Sequence, residues 1–569
     1  STGYNISALF GNCSKLTGLI PDNLLIYAPL TIGADSLFTS CSLITGQIPE
    51  NLFRYCPNLT TVASAFQGCT GLTGQIPEDL LKYNTKLTTV VNLFYGCTGL
   101  SGSITEKLLK YNVLLITVEA LFYGCSGLTG GIPTNLLTHN TELTTCYNLF
   151  RSCSNLVGPI PPTLFTTNTK CTVFAGTFNG CSKLTGLIPG ELFTYNPLIT
   201  TVAGLFQGCT GLTGAIPNLF TTNTLVQTYA ICFQGCTGLT SIPTDLFRYS
   251  GTNTTTFNST FYGCSGITSI PAGIFDYNTN VTDFGNTFIN CTGITSIPTD
   301  IFRYNVNTTS FTATLAGTRI TTIPTGLFQY NTKVTTFAST FQNCTALTAI
   351  PANMFDTNTL VTSFANTFQG CTSIPSVPVD LFRYNTAVTN ISSLFNGCTN
   401  ASFTTVDANI FRYMTAITNM NSVFASMGTS KTFTIPTDLF RYNVNVTNMS
   451  SAFQTTKVAS ITSGMFDYNI NVTSFANVFY RALHGTVQIP SDLFKYNTLV
   501  TDMSGAFRYT NSTTTIPVDL FRYNTLVTTF AYTFDSSGTM GSGIPLDLFR
   551  YNTEVTTFLG VLNACGATY

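Results

Sequence analysis

The stretch "IPTDLFRYN" at Ile435 to Asn443 returns as "IPTDLFRYS" at Ile242, "IPTDIFRYN" at Ile297, "IPVDLFRYN" at Ile516 and "IPLDLFRYN" at Ile544. Repetition of this kind decides a fold before any local reading does. Working outward, an apolar anchor, nearly always Phe followed three residues later by Cys, recurs from Phe10 and Phe38 to Phe534 and Leu562, giving 21 units at steps of 26 to 29 residues. A unit holds one short apolar run, one Pro-led segment and one Asn turn. That is too little to bury a core alone, so the units must stack and share a core between neighbours. The 569 residues are therefore expected to form a single continuous solenoid over 1–569 rather than several globular domains.

The repeated nonapeptide has a local logic. Pro after an apolar β-branched residue ends a strand and suits the first position of a helical turn, where its missing N–H costs nothing. Asp two residues on, as in Asp245, Asp300, Asp380, Asp438, Asp519 and Asp547, favours the positive end of that turn. The basic residue three positions later stands one turn away. Asn ends the segment in 16 of 20 coils, including Asn84, Asn112, Asn140, Asn278, Asn305, Asn385, Asn443, Asn524 and Asn552, while Ala28, Cys56, Ser250 and Met414 depart from it. A side chain that donates and accepts is suited to bonding turn backbone within a coil or across coils, and this column is read as a structural ladder.

Of the 19 cysteines, 15 follow the anchor by three: Cys13, Cys41, Cys69, Cys97, Cys125, Cys153, Cys181, Cys209, Cys236, Cys264, Cys291, Cys344, Cys371, Cys398 and Cys565. In-register thiols about 4.8 Å apart lack the divergent geometry of a disulfide. They are expected to pack as small buried apolar residues. Cys56, Cys146, Cys171 and Cys232 fall outside the column, and no clustered C-x-x-C pair suggests zinc, so no metal and no cofactor is expected.

Composition narrows the partners. Charged residues make up 8% of the chain, with 23 basic against 24 acidic and a net charge of −1, which gives no electrostatic footprint for nucleic acid or an anionic membrane. No apolar run approaches the roughly 18 residues of a membrane span. Ser1 begins no basic and apolar leader, and a mature form or a piece of a longer protein is expected. The basic column of Arg248, Arg303, Arg383, Arg441 and their relatives has an Asp beside most members, and is read as a solvated outer face.

The segments "VTNISSLFNGCTN" at Val388, "ITNMNSVF" at Ile417, "VTNMSSAF" at Val446, "VTDMSGAF" at Val500 and "FDTNTLVTSFANTFQGCTSI" at Phe355 resemble the BspA-like class of bacterial and protist leucine-rich repeats. The likeness runs over essentially the whole chain. "LTGLIP", "LTGQIP" and "LTGAIP" in the early units are similar to the extracellular leucine-rich repeats of plant receptors, although the units here are longer and the Asn sits elsewhere. The resemblance implies a right-handed, curved leucine-rich-repeat-like solenoid with one short parallel strand and one short helical turn per repeat. It also implies a cell-surface protein that holds proteins, glycans or other cells.

In that fold the strands are expected at "LTGQIP", "LTSIP" and "ITTIP". Their outward residues Thr240, Ser241, Thr268, Ser269, Thr295, Ser296, Thr321, Thr322 and Thr348 are the candidate binding face, a ribbon roughly 100 Å long if every coil contributes. The alternative reading of each Thr is a good strand former with a solvated hydroxyl. Three sub-regions differ in character: 1–232 with regular 28-residue coils, 233–400 with mostly 27-residue coils, and 401–569, where the ladder Cys is missing until Cys565. A specific partner patch is expected between Phe403 and Ser542, because irregular units are where a solenoid inserts or contacts.

The only histidines, His139 and His484, have no evident catalytic partner, and Glu106, Glu119, Glu142 and Glu554 are scattered. Paired carboxylates for glycoside cleavage involving Asp283 or Asp502 form the minor alternative. The expected function is thus non-catalytic: an extracellular surface or fibre protein, an adhesin or receptor-binding solenoid holding a cell-surface protein or glycan. The second expectation is a structural protein whose copies stack end to end into a filament or surface layer.

Overall fold

The computed structural model describes residues 3–427, 431–485, 487–512, 515–537 and 544–563. The fold is a leucine-rich-repeat-like solenoid whose coils bond to their neighbours through parallel rungs. The coils group into two compact units, Ser1–Asp283 with Asn290–Ile294 and Phe284–Ile289 with Thr295–Tyr569.

Regular strands are short: β1 (Tyr4–Asn5), β2 (Thr31–Gly33), β3 (Gly214–Ala215), β4 (Leu239–Ser241), β5 (His484–Gly485) and β6 (Asn511–Ser512), paired in parallel as β1 with β2, β3 with β4 and β5 with β6. Most pairing is by one bridge per coil. The more regular column lies just before the anchor, at Thr61, Thr89, Thr117, Thr145 and on to Asp283 in the first unit, and at Ser310, Thr336, Ser363 and on to Thr557 in the second. The "LTG" segments make a second column, Gly46 to Leu72, Gly74 to Leu100 and Gly102 to Leu128, in which Gly takes φ near +80°.

The "TSIP" segments, expected to be strands, are joined by fewer bonds. Thr268 N–H reaches Thr240 O at 3.3 Å and Thr321 N–H reaches Thr295 O at 3.2 Å, without a bridge. Their coils have lost the positive-φ Gly on which the "LTG" bridge is built.

The Pro-led segment forms consecutive i to i+3 turns rather than an α-helix. Leu80 N–H bonds Pro77 O, Lys82 bonds Asp79 and Asn84 bonds Leu81, at 3.4, 3.1 and 3.1 Å. Among the described residues such turns merge into a 3-10 helix only at Arg248–Asn253.

The anchor turn fixes the other corner. Ser64, at φ +57°, and Gly68, at φ +72°, flank Phe66, which explains why small or polar residues hold these two columns. N–H groups of this turn donate to the next coil, Phe66 to Leu93 O at 3.0 Å and Gly68 to Tyr95 O at 2.7 Å. Inside, the anchor rings stack face to face: Phe66 on Phe94 with centroids 5.9 Å apart, Phe94 on Phe122 at 6.0 Å. A second spine runs through the Pro-led segments, with Phe165 on Phe193 at 5.8 Å and Phe302 on Phe328 at 6.0 Å. Each of these rings is fully buried, contributing about 1.5–3 kcal/mol by removal from water.

Candidate binding surface

The candidate face is best defined by contrast with a second threonine column. In the segments typified by V-T-T the first Thr donates through both N–H and Oγ1 to the carbonyl of the equivalent residue one coil back. Thr88 reaches Thr60 O at 2.9 and 3.2 Å, and Thr362 reaches Thr335 O at 2.8 and 3.2 Å. The same bond repeats at Thr389, Thr418, Thr447, Thr473, Thr501 and Thr528. These hydroxyls are consumed by the scaffold.

The following residue is polar for another reason. Asn390 Oδ1 accepts Ser392 N–H at 3.0 Å, Asn448 accepts Ser450 N–H at 2.9 Å and Asp502 accepts Ser504 N–H at 2.8 Å, each capping the turn into the anchor. Asp502, a candidate acid, is thereby used structurally. This hydroxyl ladder is absent from the sequence expectations. Its signal was the Thr that stands six residues before most anchors.

The "TSIP" side chains behave differently. Thr240, Thr268, Ser269, Thr295, Ser296, Thr321 and Thr322 are exposed, and Ser241 half-buried. Among the described residues none of these eight hydroxyls makes a hydrogen bond, whereas Thr348 Oγ1 donates to Thr321 O at 3.0 Å. Thr240 and Ser241 stand on β4, and the other six lie in extended segments outside any strand. Thr240 to Ser269 belong to the first unit and Thr295 to Thr322 to the second.

At the equivalent place in the earliest coils the outward residues are larger. Leu19, Gln47 and Gln75, with Asp22, Glu50 and Glu78, line a cavity of about 590 Å³.

The Asn column is buried throughout. Asn84 Nδ2 donates to Phe53 O and Cys56 O at 3.0 and 2.8 Å; Asn112 to Leu81 O and Asn84 O; Asn140 to Leu109 O and Asn112 O. Asn385, Asn443, Asn524 and Asn552 repeat the pattern, and Asn278 donates to Phe247 O and Gly251 O at 3.0 Å each. Asn305 is equally buried, and its carbonyl receives Asn331 Nδ2 at 2.9 Å. Cys56 takes the same column and turns its thiol to Ala28 O at 3.4 Å.

Cys41, Cys69, Cys97, Cys125, Cys153, Cys181, Cys209, Cys236 and Cys264 are buried free thiols, each donating to the anchor carbonyl of the preceding coil at 2.9 to 3.0 Å. They are thus weak donors as well as apolar packing. Burial pushes the thiols of Cys69 and Cys125 up to about 12. Cys13 departs from the expected buried thiol: it is exposed. Cys565 lies outside the described residues. The off-column Cys146 and Cys171 are buried with their sulfurs 3.7 Å apart.

The basic column is not uniformly cancelled by its Asp. Ion pairs form at Lys82 with Asp79, Arg248 with Asp245 and Arg522 with Asp519. Elsewhere the guanidinium rests on tyrosine, as Arg303 does over Tyr304 and Tyr330 at 5.5 Å each and Arg412 over Tyr413 and Tyr442 at 5.6 Å each. These contacts make the column a sequence of stacked rings and cations.

Among the described residues no cluster of three or more His, Cys, Asp or Glu side chains is placed to hold a metal ion, and no helix is long and apolar enough to cross a membrane.

A family model described as "Mycoplasma protein of unknown function, DUF285" matches residues 309–435. No curated protein matches the chain. Among solved structures, the chain is similar to the Arabidopsis receptor kinase HAESA, solved in complex with the peptide hormone IDA and the co-receptor SERK1, at 15% identity over 98% of this chain and 85% of that one, with a TM-score of 0.41. It is also similar to the functional domain of InlJ from Listeria monocytogenes, described as including a cysteine ladder, at 15% identity over 75% of this chain and 74% of that one, with a TM-score of 0.37.

Proposed function

We propose that the chain is a non-catalytic binding solenoid of an extracellular surface, holding a protein or glycan of another cell on its "TSIP" rungs. The observation that carries this reading is the contrast between the two threonine columns. The V-T-T hydroxyls are bonded to the neighbouring coil, while those of Thr268, Ser269, Thr295, Ser296, Thr321 and Thr322 are exposed and unbonded among the described residues. Within each unit, free hydroxyls at coil spacing offer donors and acceptors without charge, which suits sugar hydroxyls and peptide backbone alike. In the earliest coils the same position opens onto the cavity lined by Gln47, Gln75 and the acids, so the proposed face changes its chemistry along the chain.

The test is binding of the full chain to arrays of extracellular glycans and of surface proteins, with light scattering on the same sample. Saturable binding to a discrete set of ligands supports the reading. No binding on either array, with growth of end-to-end assemblies, would replace it by self-assembly.

A further inference from the structure

The coils after Phe453 and Phe479 break the repeat where the structure places an unused cavity. It measures about 410 Å³ and is lined by Thr455, Lys457, Arg481 and His484. We propose that it is an anion site that takes a phosphate or sulfate ester carried on a sugar. The inference goes beyond the rung reading and does not depend on it.

Three bases converge there. Among the described residues no carboxylate lies within ion-pair distance of Lys457, Arg481 or His484, so no acid offsets their charge at the cavity. The neighbouring Arg508, by contrast, is bonded to Asp535 at 2.7 Å. Thr455 Oγ1 is engaged with Gln454 O at 2.7 Å, which leaves Lys457 and Arg481 as the free donors.

The backbone supplies an independent sign. Two residues after the anchor the chain is left-handed in coil after coil, and the column holds small residues: Gly68, Gly96, Gly124, Ser152, Gly180, Asn343, Gly370 and Ser426. Arg481, at φ +53°, and Tyr509, at φ +56°, stand in that column. A long side chain is disfavoured in this conformation. Such strain persists where the surroundings enforce it, and it gathers at ligand sites.

Here the surroundings are aromatic. The Arg481 guanidinium lies 4.7 Å from the Tyr509 ring centroid and 5.5 Å from that of Tyr480, and the two rings meet edge to face at 5.5 Å. His484 Nε2 is 3.2 Å from Arg481 O, which ties the imidazole to the same turn. Arg481 is therefore held in place before any ligand arrives, the condition under which a guanidinium binds an oxyanion well.

The cavity also limits what carries the anion. Its volume exceeds that of a bare ion and falls toward the small end of ligand pockets. Its lining residues are Thr, Lys, Arg and His, with no aliphatic residue to anchor an apolar group. A hydroxylated carrier fits.

The experiment is calorimetric titration of the full chain with galactose 6-sulfate and glucose 6-phosphate, with unsubstituted galactose as the comparison. At least one ester should bind saturably and galactose should not; the tighter ester identifies sulfate or phosphate as the source. Arg481→Gly restores the residue type of the other coils, so its melting temperature should equal or exceed that of the parent while ester affinity falls about tenfold or more. Lys457→Gln should weaken the ester by a similar factor, and Arg383→Gln, on the tyrosine edge, should not change it. The proposal is overturned if neither ester binds, if galactose binds as well as the esters, or if Arg481→Gly melts no lower and binds unchanged. None of these results touches the rung reading, which is scored on unsulfated and unphosphorylated ligands.

Discussion

The Nδ2 group of Asn112 donates to the carbonyl of Asn84, 2.9 Å away in the preceding coil, and Asn84 in turn donates to Cys56 at 2.8 Å. Each amide spends its second hydrogen on another carbonyl of the same coil, Leu81 O for Asn112. Replacing Asn112 by Ala removes one of the two hydrogen bonds at each of two buried carbonyls, which keep the N–H groups of Asn84 and Leu87, an expected loss of about 1–3 kcal/mol. Urea unfolding followed by hydrogen exchange should show the loss concentrated in the coils around Leu81 to Asn140, since a solenoid passes strain only to its neighbours.

The thiol column should accept a hydroxyl. Thr456 and Ser537 already occupy it, and they donate to Phe424 O and Phe507 O as the cysteines do to their own anchors. Cys97→Thr is therefore expected to cost less than about 0.5 kcal/mol, whereas Cys97→Val, which leaves Phe66 O with the Cys69 N–H alone, should cost more, about 0.5–1.5 kcal/mol. Chemical denaturation of the two variants side by side checks the order.

Burial raises the Cys69 and Cys125 thiols to about 12, above the value of an unfolded thiol near 8.5. A raised folded pKa means that stability is complete below the unfolded value. It is lost as pH rises toward the folded value, because the unfolded chain then releases protons that the folded chain keeps. The melting temperature should hold to about pH 8 and fall steadily up to pH 11. Serine at Cys69, Cys125, Cys181, Cys264, Cys344 and Cys398 together, all raised by burial, should make that fall shallower; an unchanged slope would count against the thiols as its cause.

The two threonine columns should respond oppositely. Thr335→Val removes the Oγ1 bond to Thr309 O, 3.2 Å long, and should destabilise by about 0.5–1.5 kcal/mol. Thr321→Glu alters an exposed side chain and should stay within about 0.5 kcal/mol. Thermal melts of both variants are sufficient.

Much of this was legible in the sequence because the repeat fixes columns, and a column of Asn or Cys can be counted. The burial of Asn84 and Cys69 follows from their position beside the anchor and the Pro-led segment. The rung assignment was harder. "VTT" and "TSI" are equally β-branched, and which of them ladders depends on whether a hydroxyl meets the carbonyl one coil back, a register that composition does not carry. Arg481 was visible as a long residue in a column of glycines, yet its meaning required the left-handed φ and the two tyrosine rings that hold it. The cancelling of Arg303 by Asp300 was read from proximity in sequence, and the guanidinium instead took the tyrosine faces.

The most direct test of the account is ligand binding, for the best glycan or protein found on the arrays, by the parent chain and by a variant carrying Thr295→Glu, Thr321→Glu and Thr322→Glu. The account predicts a melting temperature within about 2 °C of the parent and binding reduced at least tenfold, with Thr335→Val binding as the parent does. Undiminished binding by the triple variant, at the same melting temperature, would contradict it.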